Sequence, residues 1–402
     1  MNEFVEKKVE LTWREPKSSY DVIIVGGGGH GLATAYYLAT RHDITHVLVI
    51  ERNYIGSGNS GRNTTIIRSN YGIPEAVRFY QRSVDLYYSL EKETERWVMF
   101  KQKGLLWLAH TEAALRGERA RAEVNSAFGA KTVAVDPKQI KEICPQIDLE
   151  GGGVWPVLGG SWHTEGATAR HDRVVWAFAE GAMRAGVTVL QNTSVTGLIK
   201  NGNRITGVRT SAGDISAGSV LSAVGGRVTT LSNMAGVRLP IRSHPLQAYV
   251  TNHYQNSFNP IIGSTGLLFY LSQTARGEML IGAEIDRQPS HAYGSGHHLL
   301  QSCSFRAMTL FPFLRDLRVL RQWTGICDMS PDYSPIMGET GVDGFYVTTG
   351  WGTWGFKAIP AGGEQMAQLI ATGKTPALIA PFGLNRFAQD RTLADRGSAG
   401  TH

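Results

Sequence analysis

Gly26, Gly28 and Gly31 stand at G-x-G-x-x-G spacing directly behind the apolar run 22–25. Glycines so placed let a backbone approach a pyrophosphate, which then sits on a helix N-terminus where unpaired N–H groups and the helix dipole favour an anion. Ala35 adds a small residue for close helix–sheet packing. Glu51 falls 20 residues after Gly31, the spacing of a carboxylate that accepts from ribose hydroxyls. The chemistry predicted is dinucleotide binding, and His30 inside the turn reads as a packing residue. A second group, Arg170, His171 and Asp172, stands just before apolar residues at helical spacing (Val175, Phe178, Ala179, Ala182, Met183). Residue types alone leave His171 two roles, a helix-entrance residue or the holder of a ligand.

Other chemistries find less support. Cys144, Cys303 and Cys327 are far apart with no CxxC, so neither a zinc site nor a disulfide framework is predicted. The formal charge of +6 is dispersed, without a basic run or aromatic–basic alternation, which fits an anionic cofactor or substrate and not nucleic acid. The start of the chain mixes acids and bases without the apolar stretch of a signal peptide, and no apolar run reaches membrane-spanning length. A soluble, cytoplasmic protein is expected.

The elements that must position these residues follow from pattern and punctuation. "YDVIIVGGGGHGLATAYYLAT" is strand, glycine turn and helix, and "HVLVIERN" is a second buried strand. Helical periodicity covers 75–95 and 113–127, and "HDRVVWAFAEGAMRAG" is a helix leading into the strand "VTVLQN". The stretch from "SVTGLIKNGN" to "SVLSAVGG" alternates apolar runs with turns, the pattern of an antiparallel meander. From 241 to about 320 strand-like runs alternate with loops and end in a helix, and "DGFYVTTGWGTWGFKAIPAGGEQMAQLIAT" is again strand, glycine loop and helix. With 402 residues, two domains are expected. The fold predicted is α/β, a discontinuous Rossmann domain (21–85, 160–238 and 322–385) with an inserted α+β domain on an antiparallel sheet (86–159 and 239–321). A polar arm (1–20) precedes them and a tail (386–402) follows.

"TSVTGL" and "VLSAVGG" resemble the later ADP-contacting segments of flavoproteins, with the Val195 backbone at the adenine and Ala223 and Gly225 near the ribose and phosphates. Together with "RNTTIIRSNYG", "TARHD", "SHPLQA", "GWGTWGFK" and "APF" followed by "RF", they span nearly the whole chain. The ensemble resembles the D-amino-acid oxidase/glycine oxidase/sarcosine oxidase family of FAD-dependent oxidoreductases. Within that family the order of these strings is similar to the β subunits of bacterial heterotetrameric sarcosine oxidases.

The resemblance implies a glutathione-reductase-like fold and non-covalent FAD, held by Gly26, Gly28, Gly31, Glu51, Arg62, Asn63, Thr64, Val195, Ala223, Gly225, Gly350, Gly352 and Gly355. It places Arg68 and Lys357 on the carboxylate of a small N-methyl amino acid, an anchor that sets the reacting group over the flavin. The run Ile66–Ile67 also sets Arg68 near the core, where a cation needs partners. It makes His171 the attachment point of a covalent FMN and implies α, γ and δ partner subunits. Sarcosine would be demethylated to glycine and formaldehyde or 5,10-methylenetetrahydrofolate, with electrons passing to FMN and then to O2 to give H2O2. The alternatives are a dehydrogenase of another secondary amine or imino acid with a different acceptor, or an electron-transfer scaffold, against which the two carboxylate-binding cations argue.

Four positions depart from the family pattern. Cys327 is displaced by about two residues from a flavin-attachment position of monomeric relatives, so a buried structural thiol is expected. Leu280 and Glu284 stand where those relatives place a lysine and a histidine, so the cation beside the flavin is lost. Trp354 replaces an expected glycine, and a ring there is expected to alter the pocket. His244 and Trp351 read as structural or pocket-lining.

Overall fold

The computed structural model describes residues 11–394, and within that span the side chains of 283 and 284 lie outside the description. The arm over 1–10, the end of the tail over 395–402 and the expectation for the Glu284 side chain therefore fall outside the described residues.

The first sheet is parallel at its centre. Strand Ser19–Val25 lies between Val47–Ile50 and Gly213–Ser222, with Thr188–Leu190 beyond the former and Phe345–Thr349 beyond the latter. Its central strands are apolar on both faces because both are covered. One face carries the helices Gly29–Arg41, His171–Arg184, Pro74–Thr94 and Ile359–Thr372. The other carries the short helix Val228–Ala235, and beyond Gly213–Ser222 the sheet continues into the antiparallel strands Arg204–Thr210 and Val195–Asn201, whose Leu198, Ile205 and Val208 join the core on that face.

Two glycines set the close approach of the helices Gly29–Arg41 and Ile359–Thr372. A Cβ on Gly363 would strike that of Ala33, and one on Gly29 would strike Ile359. Ala35, expected to ease helix–sheet packing, is fully buried in the same layer.

The second sheet has eight strands in the order Val319–Met329, Arg242–His253, Glu278–Ile285, Phe269–Gln273, Ile261–Ser264, Leu105–Ala109, Gly159–His163 and Thr132–Val135. All neighbours are antiparallel except Ile261–Ser264 with Leu105–Ala109. Helix His297–Leu310 closes its apolar face.

The expected boundaries shift at three points. The break at 85 would cut the helix Pro74–Thr94, whose Leu86, Tyr87 and Leu90 belong to the core of the first sheet. Gly159–His163 and Val319–Met329 pair wholly in the second sheet, so the breaks at 159 and 321 fall inside strands. A strand or helix runs continuously through such a point, and neither shows a composition break there. No helix among the described residues is long and apolar enough to cross a membrane.

Candidate active site

The glycine turn builds the cofactor end. Gly26 holds a positive φ of 116° that an L side chain rarely adopts, and its carbonyl leaves no room for a Cβ on Gly31. Gly28 caps the helix Gly29–Arg41 in extended geometry with no side chain in the way. Around this turn runs a cleft lined by Gly26, Gly28, Glu51, Asn63, Val195, Ala223, Gly225, Gly352 and Gly355. Gly31, Arg62, Thr64, Gly350 and His171 do not line it. Gly31 acts from behind, through packing. Arg62 and Thr64 face the neighbouring cavity, where the Thr64 hydroxyl donates to the Tyr270 hydroxyl at 3.0 Å. Gly350, at φ 69°, donates its N–H to the buried Asp328 carboxylate at 2.7 Å.

Glu51 is itself held by the turn. Its oxygens accept from the N–H groups of Gly27 and Asn53, both at 3.0 Å, and from the Ser57 hydroxyl at 3.2 Å. His30, Thr348 and Trp351 also line the cleft, and His30 Nδ1, Thr348 Oγ1 and Trp351 Nε1 are buried without a hydrogen-bond partner among the described residues. The glycine turn, which keeps side chains away from the N-terminus of the helix Gly29–Arg41, fits an anionic dinucleotide. His30 stacks on Trp351 at 4.1 Å, and burial pushes its imidazole down to about 3, so it stays neutral.

A second, smaller cavity of about 130 Å³ adjoins this cleft against the second sheet. Asn59, Asn63, Ile326 and Gly352 line both spaces. Arg68 and Lys357, 289 positions apart in sequence, both line the smaller one. Arg68 is 4% exposed and Lys357 7%. The Arg68 guanidinium donates to the Asn70 carbonyl at 2.9 Å and to Asn70 Oδ1 at 3.0 Å. It also lies over the rings of Tyr71, at 4.2 Å, and Trp107, at 5.5 Å. Lys357 Nζ donates to the Thr353 carbonyl at 3.0 Å. Burial, reinforced by the Arg68 charge, holds its ammonium well below the ordinary lysine range. Arg62 also lines this cavity, and among its described lining residues there is no carboxylate. Such a space favours an anion and disfavours an ammonium group.

Several supporting residues carry no local sequence signal. Ser83 Oγ donates to the Lys357 carbonyl and Tyr87 Oη to the Phe356 carbonyl, both at 2.6 Å, so the helix Pro74–Thr94 fixes the lysine's turn. Asp328, pushed upward in pKa by burial, clamps the loop before Trp351 through Thr349 and Gly350. Trp354 corrects an expectation. It is 1% exposed and does not line the cavity, but packs on Tyr71 at 4.6 Å, behind the ring that supports Arg68. Cys327 is buried, as expected of a structural thiol, yet it lines the small cavity, and burial raises its thiol. Leu280 lines neither space.

His171 is the first residue of its helix and lies apart from both cavities. Its side chain is 30% exposed, and its buried Nδ1 has no hydrogen-bond partner among the described residues, with Asp172 Oδ1 4.0 Å away. Burial lowers the imidazole pKa, so it is biased to the neutral, nucleophilic form. The pair Ile66–Ile67 and Ala167–Thr168 is antiparallel, so one small sheet delivers both Arg68 and the segment leading to His171.

The chain matches the model of a family described as FAD dependent oxidoreductase over residues 21–369. It is 41% identical to "Sarcosine oxidase subunit beta" of Arthrobacter sp over 401 residues, 99% of each chain. The corresponding protein of Rhodobacter capsulatus is 42% identical over 97% of this chain and 94% of its own. Among solved structures, L-proline dehydrogenase from P. horikoshii superposes with a TM-score of 0.88 at 30% identity, covering 94% of this chain and all of that one. Glycine oxidase from Geobacillus kaustophilus, at 21% identity and a TM-score of 0.81 over 92% of this chain and 99% of its own, shares the fold.

Proposed function

The chain belongs to the FAD dependent oxidoreductase family, and from that membership we propose that it oxidises a small secondary amino acid, sarcosine, at the cavity beside the cofactor cleft. The observation that carries this reading is a pair of buried cations, Arg68 and Lys357, in a small cavity whose described lining has no carboxylate and which opens on the cleft. The glycine turn and Glu51 would hold FAD, which would supply the two-electron acceptor.

The chain's own residues do the rest. Arg68 offers a guanidinium fork and Lys357 a point charge to the substrate carboxylate. Asn70, Tyr71 and Trp107 keep the fork in place. Leu105, Leu246 and Phe269 line the remaining wall and limit water. An amino acid reaches such a site as a zwitterion, and two cations without a counter-acid destabilise its ammonium. The proton leaves, and the amine lone pair becomes available, as oxidation of the C–N bond requires. No side chain has to act as a base.

The finer reading follows the sarcosine oxidase β subunits. The products are glycine and formaldehyde, or 5,10-methylenetetrahydrofolate, formed in a complex with α, γ and δ subunits. His171 would hold an FMN covalently, and that flavin would supply the route for electrons to O2, giving H2O2. The partly exposed His171 ring, outside the FAD cleft, supports an attachment apart from it. A second reading, dehydrogenation of a cyclic secondary amine with another acceptor, draws on the likeness to L-proline dehydrogenase. The higher identity to the sarcosine oxidase subunits favours the first.

Arg68→Met and Lys357→Met test the anchor. Charge-assisted hydrogen bonds contribute about 1.5–3 kcal/mol each, so each variant is expected to lose about 10- to 150-fold in the second-order rate of flavin bleaching by sarcosine. A variant that keeps the wild-type dependence on sarcosine concentration overturns the assignment.

A further inference from the structure

A third cavity, of about 630 Å³, lies outside the small one and meets it at Leu268 and Ile285, which line both. The two spaces differ in charge. The inner cavity holds Arg62, Arg68 and Lys357 and no described carboxylate. The outer is lined by Arg242, Arg287 and His244 together with one acid, Asp286. Arg242 and Arg287 are exposed, and neither makes an ion pair among the described residues.

Asp286 is fixed in place. Its N–H donates to the Pro245 carbonyl at 2.8 Å, His244 Nδ1 lies 2.9 Å from its carbonyl, and Oδ1 accepts from the Gln288 N–H at 2.9 Å. The connection inward is apolar. Leu268 holds a left-handed backbone, φ 49°, in the short turn between the strands Ile261–Ser264 and Phe269–Gln273, which sets its side chain between the two spaces.

We propose that the outer cavity is a binding site for the zwitterionic form of the incoming amino acid, with Arg242 and Arg287 receiving its carboxylate and Asp286 its ammonium group. Leu268 and Ile285 form the neck through which it passes to Arg68 and Lys357. The assignment rests on the substrate reading above, because it takes the amino acid as the molecule that travels. A paired acid and base suit a zwitterion, whereas the inner cations suit only the form with a neutral amine. At the neck an N–H bond of the ammonium breaks, its proton goes to water in the open outer cavity, and no bond to carbon changes there.

The test follows two ligands in anaerobic stopped flow with the FAD-loaded enzyme in its native assembly. Sarcosine is read by flavin bleaching, and acetate, which has no ammonium group, by perturbation of the flavin absorbance on binding. The double variant Arg242→Ala/Arg287→Ala is expected to lower the low-concentration slope for both about three- to tenfold, with a much smaller effect on the saturating rate of bleaching. Asp286→Asn is expected to lower the slope for sarcosine and not for acetate. Leu268→Trp, which fills the neck, is expected to slow both. Wild-type slopes for both ligands in the arginine and tryptophan variants overturn the proposal, as does equal slowing of acetate and sarcosine by Asp286→Asn. If sarcosine fails to bleach the wild-type flavin, the substrate reading falls, and acetate association in the arginine and tryptophan variants still decides whether carboxylates enter by this route.

Discussion

In the proposed role of carboxylate anchor, the buried Lys357 would also be a sensor of pH. Its depressed pKa means that the ammonium form is costly while the cavity is empty of anions. A bound carboxylate favours the charged form, so binding takes up a proton wherever the free lysine is already neutral. The sign is therefore fixed: carboxylate affinity is greatest below the depressed pKa and falls as pH rises through it, in a range below that of an ordinary lysine. Acetate titrations followed by flavin absorbance are expected to show this weakening, approaching tenfold per pH unit above the free-enzyme pKa, and Lys357→Met is expected to abolish it. A flat wild-type profile would show that the lysine does not titrate with the ligand. Neither cation's proposed role is legible from local pattern: Arg68 follows two isoleucines and Lys357 ends a glycine loop, and only family resemblance pairs them. Trp354 was misplaced because a sequence does not tell on which side of a loop a ring falls, and here the ring turns away from the cavity onto Tyr71.

The strand–turn–helix unit at the start of the chain was the most legible element. Glycine spacing, the apolar strand before it and the carboxylate after it each reflect a steric or electrostatic requirement that reads directly as residue type. Gly31 illustrates this, since a methyl group there meets the Gly26 carbonyl and lies 3.1 Å from Ile24 Cγ2. Gly31→Ala is expected to open the turn, cost about 1–3 kcal/mol of stability and reduce FAD content on purification severalfold, measured as the ratio of flavin to protein absorbance. Gly117→Ala, in open space on the exposed face of the helix Glu112–Ala127, is the matched control and is expected to keep its flavin. Retention of full FAD by Gly31→Ala would contradict the packing role. Boundaries between the two sheets were less legible. Gly159–His163 is short and glycine-rich, and Val319–Met329 is an edge strand paired along Arg242–Thr251, so neither marks by composition which sheet it joins.

For the whole molecule, the question is whether one chain or an assembly completes the reaction. His171 lies apart from the FAD cleft with part of its ring exposed, where an attached cofactor would face a partner rather than the chain's own interior. Enzyme co-produced with its partner subunits is expected to yield a peptide over 168–180 heavier by the mass of FMN, and His171→Asn is expected to remove that mass while leaving FAD in place. An unmodified peptide in fully active enzyme would exclude the covalent flavin without touching the FAD site. The central claim is oxidation of a secondary N-methyl amino acid at Arg68 and Lys357. Anaerobic mixing of the FAD-loaded enzyme with sarcosine tests it most directly. Complete, saturable bleaching of the FAD absorbance by sarcosine is expected, faster at low concentration than with proline; no bleaching by sarcosine in enzyme whose flavin proline readily reduces would contradict that assignment.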